Sequence, residues 1–279
     1  VKNVEHQWKE HGNHFSFLTQ DPTPDRPALG YLRGSKYALM IDAGASFRHA
    51  ELFREHLEIR GNREPDFVFV THWHWDHVFG LGALDVPILS HEQTRRELEE
   101  RKDTNWKEEI LREDWLIKHE FEGREEFDLQ IVLPQITFSD RMTLDLGGVT
   151  AQLVHVNCDH TSDSSILFSP EAGVVFLGDC LYCAAQNRTY YYREEVFLGL
   201  LEQLLSYDAT LYVDSHRDGI PREKMETFLH RTHTLSDSVS RFESFPDALG
   251  FLREKGIEQD EESEFLFNAF RSGRELFGA

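Results

Sequence analysis

The segment Thr71-His72-Trp73-His74-Trp75-Asp76-His77, set directly after the apolar run Phe67-Val-Phe-Val70, constrains this chain more than any other. A short run of β-branched and aromatic residues reads as a buried strand. At its end, extended backbone sends alternate side chains to one side, so His72 and His74 point together. The turn that follows lets Asp76 and His77 address an adjacent point. Four imidazole or carboxylate groups within six residues are costly to desolvate without a cation, and neutral imidazole is the commonest protein metal ligand. The interleaved Trp73 and Trp75 favour burial and argue against a solvated histidine-rich loop.

Around this segment the pattern predicts alternating strands and helices, hence an α/β fold. Tyr37 to Ile41 reads as a buried strand running into Asp42-Ala-Gly44. Ser46 to Arg60 spaces Phe47, Leu52, Phe53, Leu57 and Ile59 as a helix, closed by Gly61. Residues 92–126, where acidic and basic residues alternate around Trp106, Ile110, Leu111 and Trp115, predict an inserted set of amphipathic helices beside the site. Strands return at Val149–Val156, Ser165–Phe168, Val174–Leu177 and Leu211–Val213, with a helix over Glu194–Ser206. Residues 241–279 hold seven of the 21 phenylalanines and predict a helical extension packed on the domain of residues 1–240 or on a second copy.

Three more stretches place ligand-type residues just beyond predicted strands: Asp159-His160-Thr161, Gly178-Asp179-Cys180 and Asp214-Ser215-His216. Such ends are where α/β folds collect their sites. With the histidine-rich run they bring the metal-type groups to seven, enough for two divalent ions. Zinc, iron and manganese all suit that donor chemistry. Cys158, Cys180 and Cys183 are too few for a disulfide framework and predict a reducing, cytoplasmic setting. Cys180 and Cys183 spell CxxC, open to structural, redox or metal-contact readings. Tyr190-Tyr-Tyr192 is a candidate source of substrate contacts.

Charge then narrows the partners. The chain of 279 residues carries 29 Lys+Arg against 50 Asp+Glu, a formal charge of −21, which repels phosphate backbones and anionic lipid. No apolar run reaches the length of a membrane span, and Val1-Lys-Asn-Val-Glu-His does not read as a signal peptide. The expected partner is a small molecule, not nucleic acid or membrane, with self-association into a homodimer left open. There is no Gly-x-Ser-x-Gly elbow and no phosphate-cradling glycine loop.

Taken in order, these motifs over about residues 30 to 220 resemble the metallo-β-lactamase-fold hydrolases, among them glyoxalase II-like enzymes and lactonases. The resemblance implies an αββα sandwich, with His72, His74 and His160 on a first metal, Asp76, His77 and His216 on a second, and Asp179 bridging. The family's Gly-His-Thr-Pro-Gly-His-Thr-like stretch appears here as His155-Val-Asn-Cys-Asp-His160-Thr161, with Cys158-Asp159 in place of Pro-Gly. His155 falls on a non-ligand position. The implied activity is a dinuclear hydrolase in which a metal-bridging hydroxide cleaves a small ester, thioester or lactone, with Asp76 and Asp179 as catalytic carboxylates. Alternatives within the fold are a phosphodiester or nucleotide hydrolase, a mononuclear iron persulfide-type dioxygenase and a metal-binding regulatory protein.

Overall fold

The computed structural model describes residues 6–23, 25–106, 129 and 131–278. Its first sheet has the order β1 (Trp8–His11), β2 (Phe15–Leu18), β3 (Leu29–Arg33), β4 (Ala38–Ile41), β5 (Phe67–Val70), β6 (Ile88–His91), β7 (Ile136–Phe138). The first four strands form an antiparallel meander, and β4 to β7 run parallel. The second sheet is ordered β15 (Ile220–Pro221), β14 (Leu211–Asp214), β11 (Val174–Gly178), β10 (Ser165–Ser169), β9 (Thr150–His155), β8 (Arg141–Asp145). A separate hairpin joins β12 (Ala184–Gln186) to β13 (Thr189–Tyr191).

Strand periodicity explains the layering. In β5, Phe69 points into the space between the sheets, with Leu39, Ile41, Leu153, Leu167, Phe176 and Val213. Val68 and Val70 point the other way, against Phe53 and Leu57 of α1 (Phe47–Ile59). Burial on both faces is why the strand shows no polar alternation. On the far side, Ile166, Val175 and Tyr212 of the second sheet meet Phe197 and Leu201 of α4 (Glu194–Ser206), Met225 and Leu235 of α5 (Arg222–Val239), Phe245 and Leu252 of α6 (Phe245–Glu254), and Phe267 and Phe270 of α7 (Glu261–Phe277). The architecture is an αββα sandwich. No helix among the described residues is long and apolar enough to cross a membrane.

Helix α1 starts as expected, with Ser46 Oγ accepting from His49 N. Its buried face, however, is His49, Ala50, Phe53 and Leu57, while Ile59 is 78% exposed and Phe47 also faces solvent. At about 100° per residue, positions 47 and 59 both fall about 120° from Phe53. Of the predicted insertion, residues 92–106, with α3 (Glu92–Arg101), are described; residues 107–126, including Trp115, lie outside the described residues.

Candidate metal centre

Two backbone contacts draw the sheets together at one end. Ser165 N donates to Thr71 O (2.9 Å) and Ala28 N to Ser215 O (2.6 Å). Between them, Gly178 closes β11 at φ +55°, where a Cβ would stand 2.8 Å from Thr71 Cβ. Only glycine fits that approach, and the register irregularity there turns Asp179 toward the first sheet.

The ligand-type residues meet at this end. His72 leaves β5, His74 caps the short helix α2 (Trp75–Val78), and Asp76 and His77 lie within it. One cluster joins His72, His74, His160 and Asp179; a second joins Asp76, His77, Asp179 and His216. In each, one ligand atom from every residue falls within 4.8 Å of the others. Asp179 belongs to both. Its Oδ2 lies 3.9 Å from His72 Nε2, 3.6 Å from His160 Nε2 and 3.3 Å from His216 Nε2, and its Oδ1 lies 3.5 Å from His77 Nε2. His216 Nε2 is 3.0 Å from Asp76 Oδ2, and His160 Nε2 is 3.0 Å from His74 Nδ1.

The donor set fits divalent cations. Buried His72 Nε2, His77 Nε2 and Asp179 Oδ1 lack a hydrogen-bond partner of good geometry among the described residues. Such atoms are costly to bury unless a cation satisfies them. The opposite ring nitrogens are committed. Asp42 Oδ2 accepts from Thr71 Oγ1 (2.9 Å) and from His77 Nδ1 (2.8 Å), and Asp42 Oδ1 accepts from Thr71 N (2.8 Å). With its proton spent on Asp42, Thr71 Oγ1 accepts from His72 Nδ1 (3.1 Å). In their neutral forms both imidazoles therefore turn Nε2 lone pairs toward the clusters. Asp42 occupies the left-handed region at φ +59°, which aspartate tolerates better than most residues.

Burial lowers His72 and His74 below the ordinary histidine range and pushes His160 down to about 4. Burial acts the same way on His77 and His216. There the carboxylates of Asp76 and Asp179, with Asp42 also acting on His77, outweigh it and raise both. Burial would raise Asp76 and Asp179 in turn, but His77 and His216 overcome it and hold both well below the usual carboxylate range.

The surroundings correct part of the sequence reading. Tyr190-Tyr-Tyr192 faces the C-terminal helix instead of the clusters: Tyr190 packs on Phe265 and Tyr191 on Phe277, and Tyr192 is buried with its hydroxyl donating to Leu181 O (2.8 Å). The C-terminal helix α7 packs along β13, and Tyr192 N just after that strand donates to Ala269 O, so the stretch is held against the helix. The tyrosine at the site is Tyr182, its ring 6.0 Å from that of His160 and 5.9 Å from that of His216. Its hydroxyl donates to buried Asp214 Oδ1 (3.2 Å), which also accepts from His216 N (3.0 Å). Burial pushes Asp214 up to about 6. A further unforeseen carboxylate, Asp25, stands 3.5 Å from His216 Nδ1.

Cys158, Cys180 and Cys183 are unbridged, outside both clusters, and raised by burial. His155 is also outside them, stacked on His91 at 4.0 Å with Nε2 bonded to Ser162 O. On the other flank, the Arg101 guanidinium lies 3.8 Å above the Trp73 ring, which stands 4.7 Å from His74, and Phe79 packs on Trp106.

Residues 23–218 match the family model described as the metallo-beta-lactamase superfamily. A curated relative, exodeoxyribonuclease YycJ from Bacillus anthracis, is 33% identical over 92 residues, so that the match spans about a third of either chain (32% of this one, 33% of the relative). Among solved structures, a metallo-beta-lactamase from Pontibacter korlensis superposes with a TM-score of 0.60 at 16% identity, over 81% of this chain and 97% of that one. The sec-alkylsulfatase Pisa1 from Pseudomonas sp. superposes at 0.67 and 12% identity, over 99% of this chain and 51% of that one.

Proposed function

The chain belongs to the metallo-beta-lactamase superfamily, and on that premise we propose that it is a metal-dependent hydrolase that cleaves a small ester, thioester or lactone at a dinuclear centre. The observation that carries this reading is the sharing of Asp179 between two four-residue clusters. His72, His74 and His160 would hold one divalent ion, Asp76, His77 and His216 the other, with Asp179 between them. Zinc leads among the candidates, with iron and manganese suited to the same donors. Two such ions would supply hydroxide at neutral pH and polarise the scissile carbonyl.

The protein's own groups do the rest. Asp42 and Thr71 fix the tautomers of His77 and His72. Asp76 Oδ2 lies 3.0 Å from His216 Nε2 and 3.3 Å from His77 Nε2, and a cation held there would keep Asp76 ionised. Asp76 would then be in the form that accepts the proton of the attacking water and returns it to the leaving group. Trp73, Phe79 and Trp106 form an apolar flank for the substrate body. We assign residues 1–240 to the hydrolase domain and 241–279 to an extension packed on it, place the protein in the cytoplasm, and leave a homodimer as a partner state to be measured.

Phosphodiester hydrolysis is the second reading, favoured by the 92-residue similarity to a protein named as an exodeoxyribonuclease. Net charge separates the two, because 50 acidic residues against 29 basic ones disfavour a polyanion. The test is turnover of a thioester, a lactone and a phosphodiester at low and high ionic strength, with zinc, manganese or iron in excess and metal per chain determined in parallel. Acyl turnover with little salt dependence and two metals per chain supports the proposal. Phosphodiester turnover with steep salt inhibition replaces it, and one metal or fewer refutes the dinuclear centre.

A further inference from the structure

His160 sits on the turn between β9 and β10, where Cys158-Asp159 stands before the ligand-type histidine. The Asp159 side chain is fully buried, and both of its oxygens serve one residue. Arg193 N donates to Oδ2 (3.0 Å) and Arg193 Nε to Oδ1 (2.6 Å). Arg193 is the N-cap residue of α4, so the carboxylate also meets the positive end of that helix. The Arg193 side chain is 42% exposed, so the charge-assisted pair joins a buried carboxylate to a surface guanidinium, and losing the arginine would leave that carboxylate unpaired.

The Tyr192–Arg193 peptide is itself fixed by the C-terminal helix. Tyr192 N donates to Ala269 O of α7 (3.1 Å). One turn on, a Cβ on Gly273 would stand 2.0 Å from Tyr192 O and 2.9 Å from Tyr192 C, so the helix backbone presses directly on this peptide. The Tyr192 ring stacks on Phe197 at 4.1 Å and lies 5.8 Å from Phe270. A continuous line of contacts thus runs from α7 through Tyr192, Arg193 and Asp159 to His160. No residue of that line touches Asp76, His77 or His216 in any described contact, and His160 meets the second cluster only at the shared Asp179.

We propose that Asp159 and Arg193, braced by α7 at Ala269 and Gly273, form a positioning clamp for His160 and so tune the affinity of the first cluster alone. The inference rests on the reading of His160 as a ligand. It makes the C-terminal helix a working part of the metal centre, although none of its residues reaches the clusters.

The test is zinc release from the loaded full-length chain to a chelator, followed as two kinetic phases alongside circular dichroism and Tm. His160→Ala and His216→Ala identify which phase belongs to which cluster. Asp159→Asn and Gly273→Ala are each expected to speed the His160-dependent phase at least about tenfold, as loss of a group that orients a ligand does, and to leave the other within about twofold. Arg271→Gln, which breaks the exposed 3.2 Å pair with Glu275 within α7, should move neither phase. The clamp is overturned if Asp159→Asn and Gly273→Ala speed both phases equally or neither, or if Arg271→Gln reproduces their effect. A silent His160→Ala sinks the ligand assignment and this inference together, whereas a disruptive His160→Ala with silent clamp variants sinks this inference only. Should Gly273→Ala fail to fold, Asp159→Asn, which removes a charge and little volume, decides the matter.

Discussion

In the first cluster three imidazoles converge on Asp179, and burial drives them toward the neutral form a cation requires. In the second, two carboxylates face two imidazoles, and their attraction raises the imidazoles and lowers the carboxylates. The contrast teaches that two sites sharing one aspartate can differ in what a metal must displace. The first has lone pairs ready. The second must release protons from His77 and His216 before a cation can take their place.

The harshest way to break this comparison is to remove what the clusters share. Asp179→Ala should weaken both sites and lower kcat/KM by at least about a thousandfold, the equivalent of about 4 kcal/mol of transition-state stabilisation. Retention of two tightly held metals and of activity would show that Asp179 is not shared. Asp42→Asn should separate the sites instead, because Asp42 bonds His77 directly and reaches His72 only through Thr71. A loss of about 10- to 100-fold is expected at the second cluster, with little change at the first, as measured by metal titration of each phase.

Acidity should separate them without mutation. Because Asp76 and Asp179 raise His77 and His216 above the ordinary histidine range, protons compete with metal there as pH falls. His160, pushed down to about 4, resists protonation until far lower pH. Lowering pH should empty the second cluster first, with affinity falling up to about tenfold per pH unit for each proton taken up. Simultaneous loss of both metals over the same range would contradict this. The smallest effect is expected of Tyr182→Phe. Its hydroxyl proton is committed to Asp214, so kcat/KM should fall less than about tenfold, consistent with one lost hydrogen bond of about 1 kcal/mol. A loss of a hundredfold or more would mean that Tyr182 acts on the substrate itself.

The sequence disclosed these features unevenly. Phe67–Val70 and Glu194–Ser206 were legible because apolar residues crowd a strand or repeat at helical spacing. Helix α5 was not, since Thr232, Ser236 and Ser238 occupy buried positions that read as polar surface. Strands β1 and β2 were hidden for a similar reason: His11, Ser16 and a turn rich in polar residues mask the alternation. The segment from His72 to His77 declared itself through local density. Asp42, Asp25 and Asp159 did not, because each meets its histidine or arginine partner across a long stretch of chain that no local pattern encodes. The grouping of seven residues into two sets came from family resemblance, not from spacing.

The sheets contribute unequally to the centre. His72, His74, Asp76 and His77 follow a strand of the first sheet, whereas His160, Asp179 and His216 hang from the second. During synthesis, therefore, the first four emerge together and early. His216 emerges only after the second sheet's last long strand. A cation gripped by the early group alone has incomplete coordination, and full coordination requires both halves to have docked. The metal thus acts as a reporter of completed assembly, and chains trapped with the halves apart should be distinguishable by weak, rapidly exchanging metal.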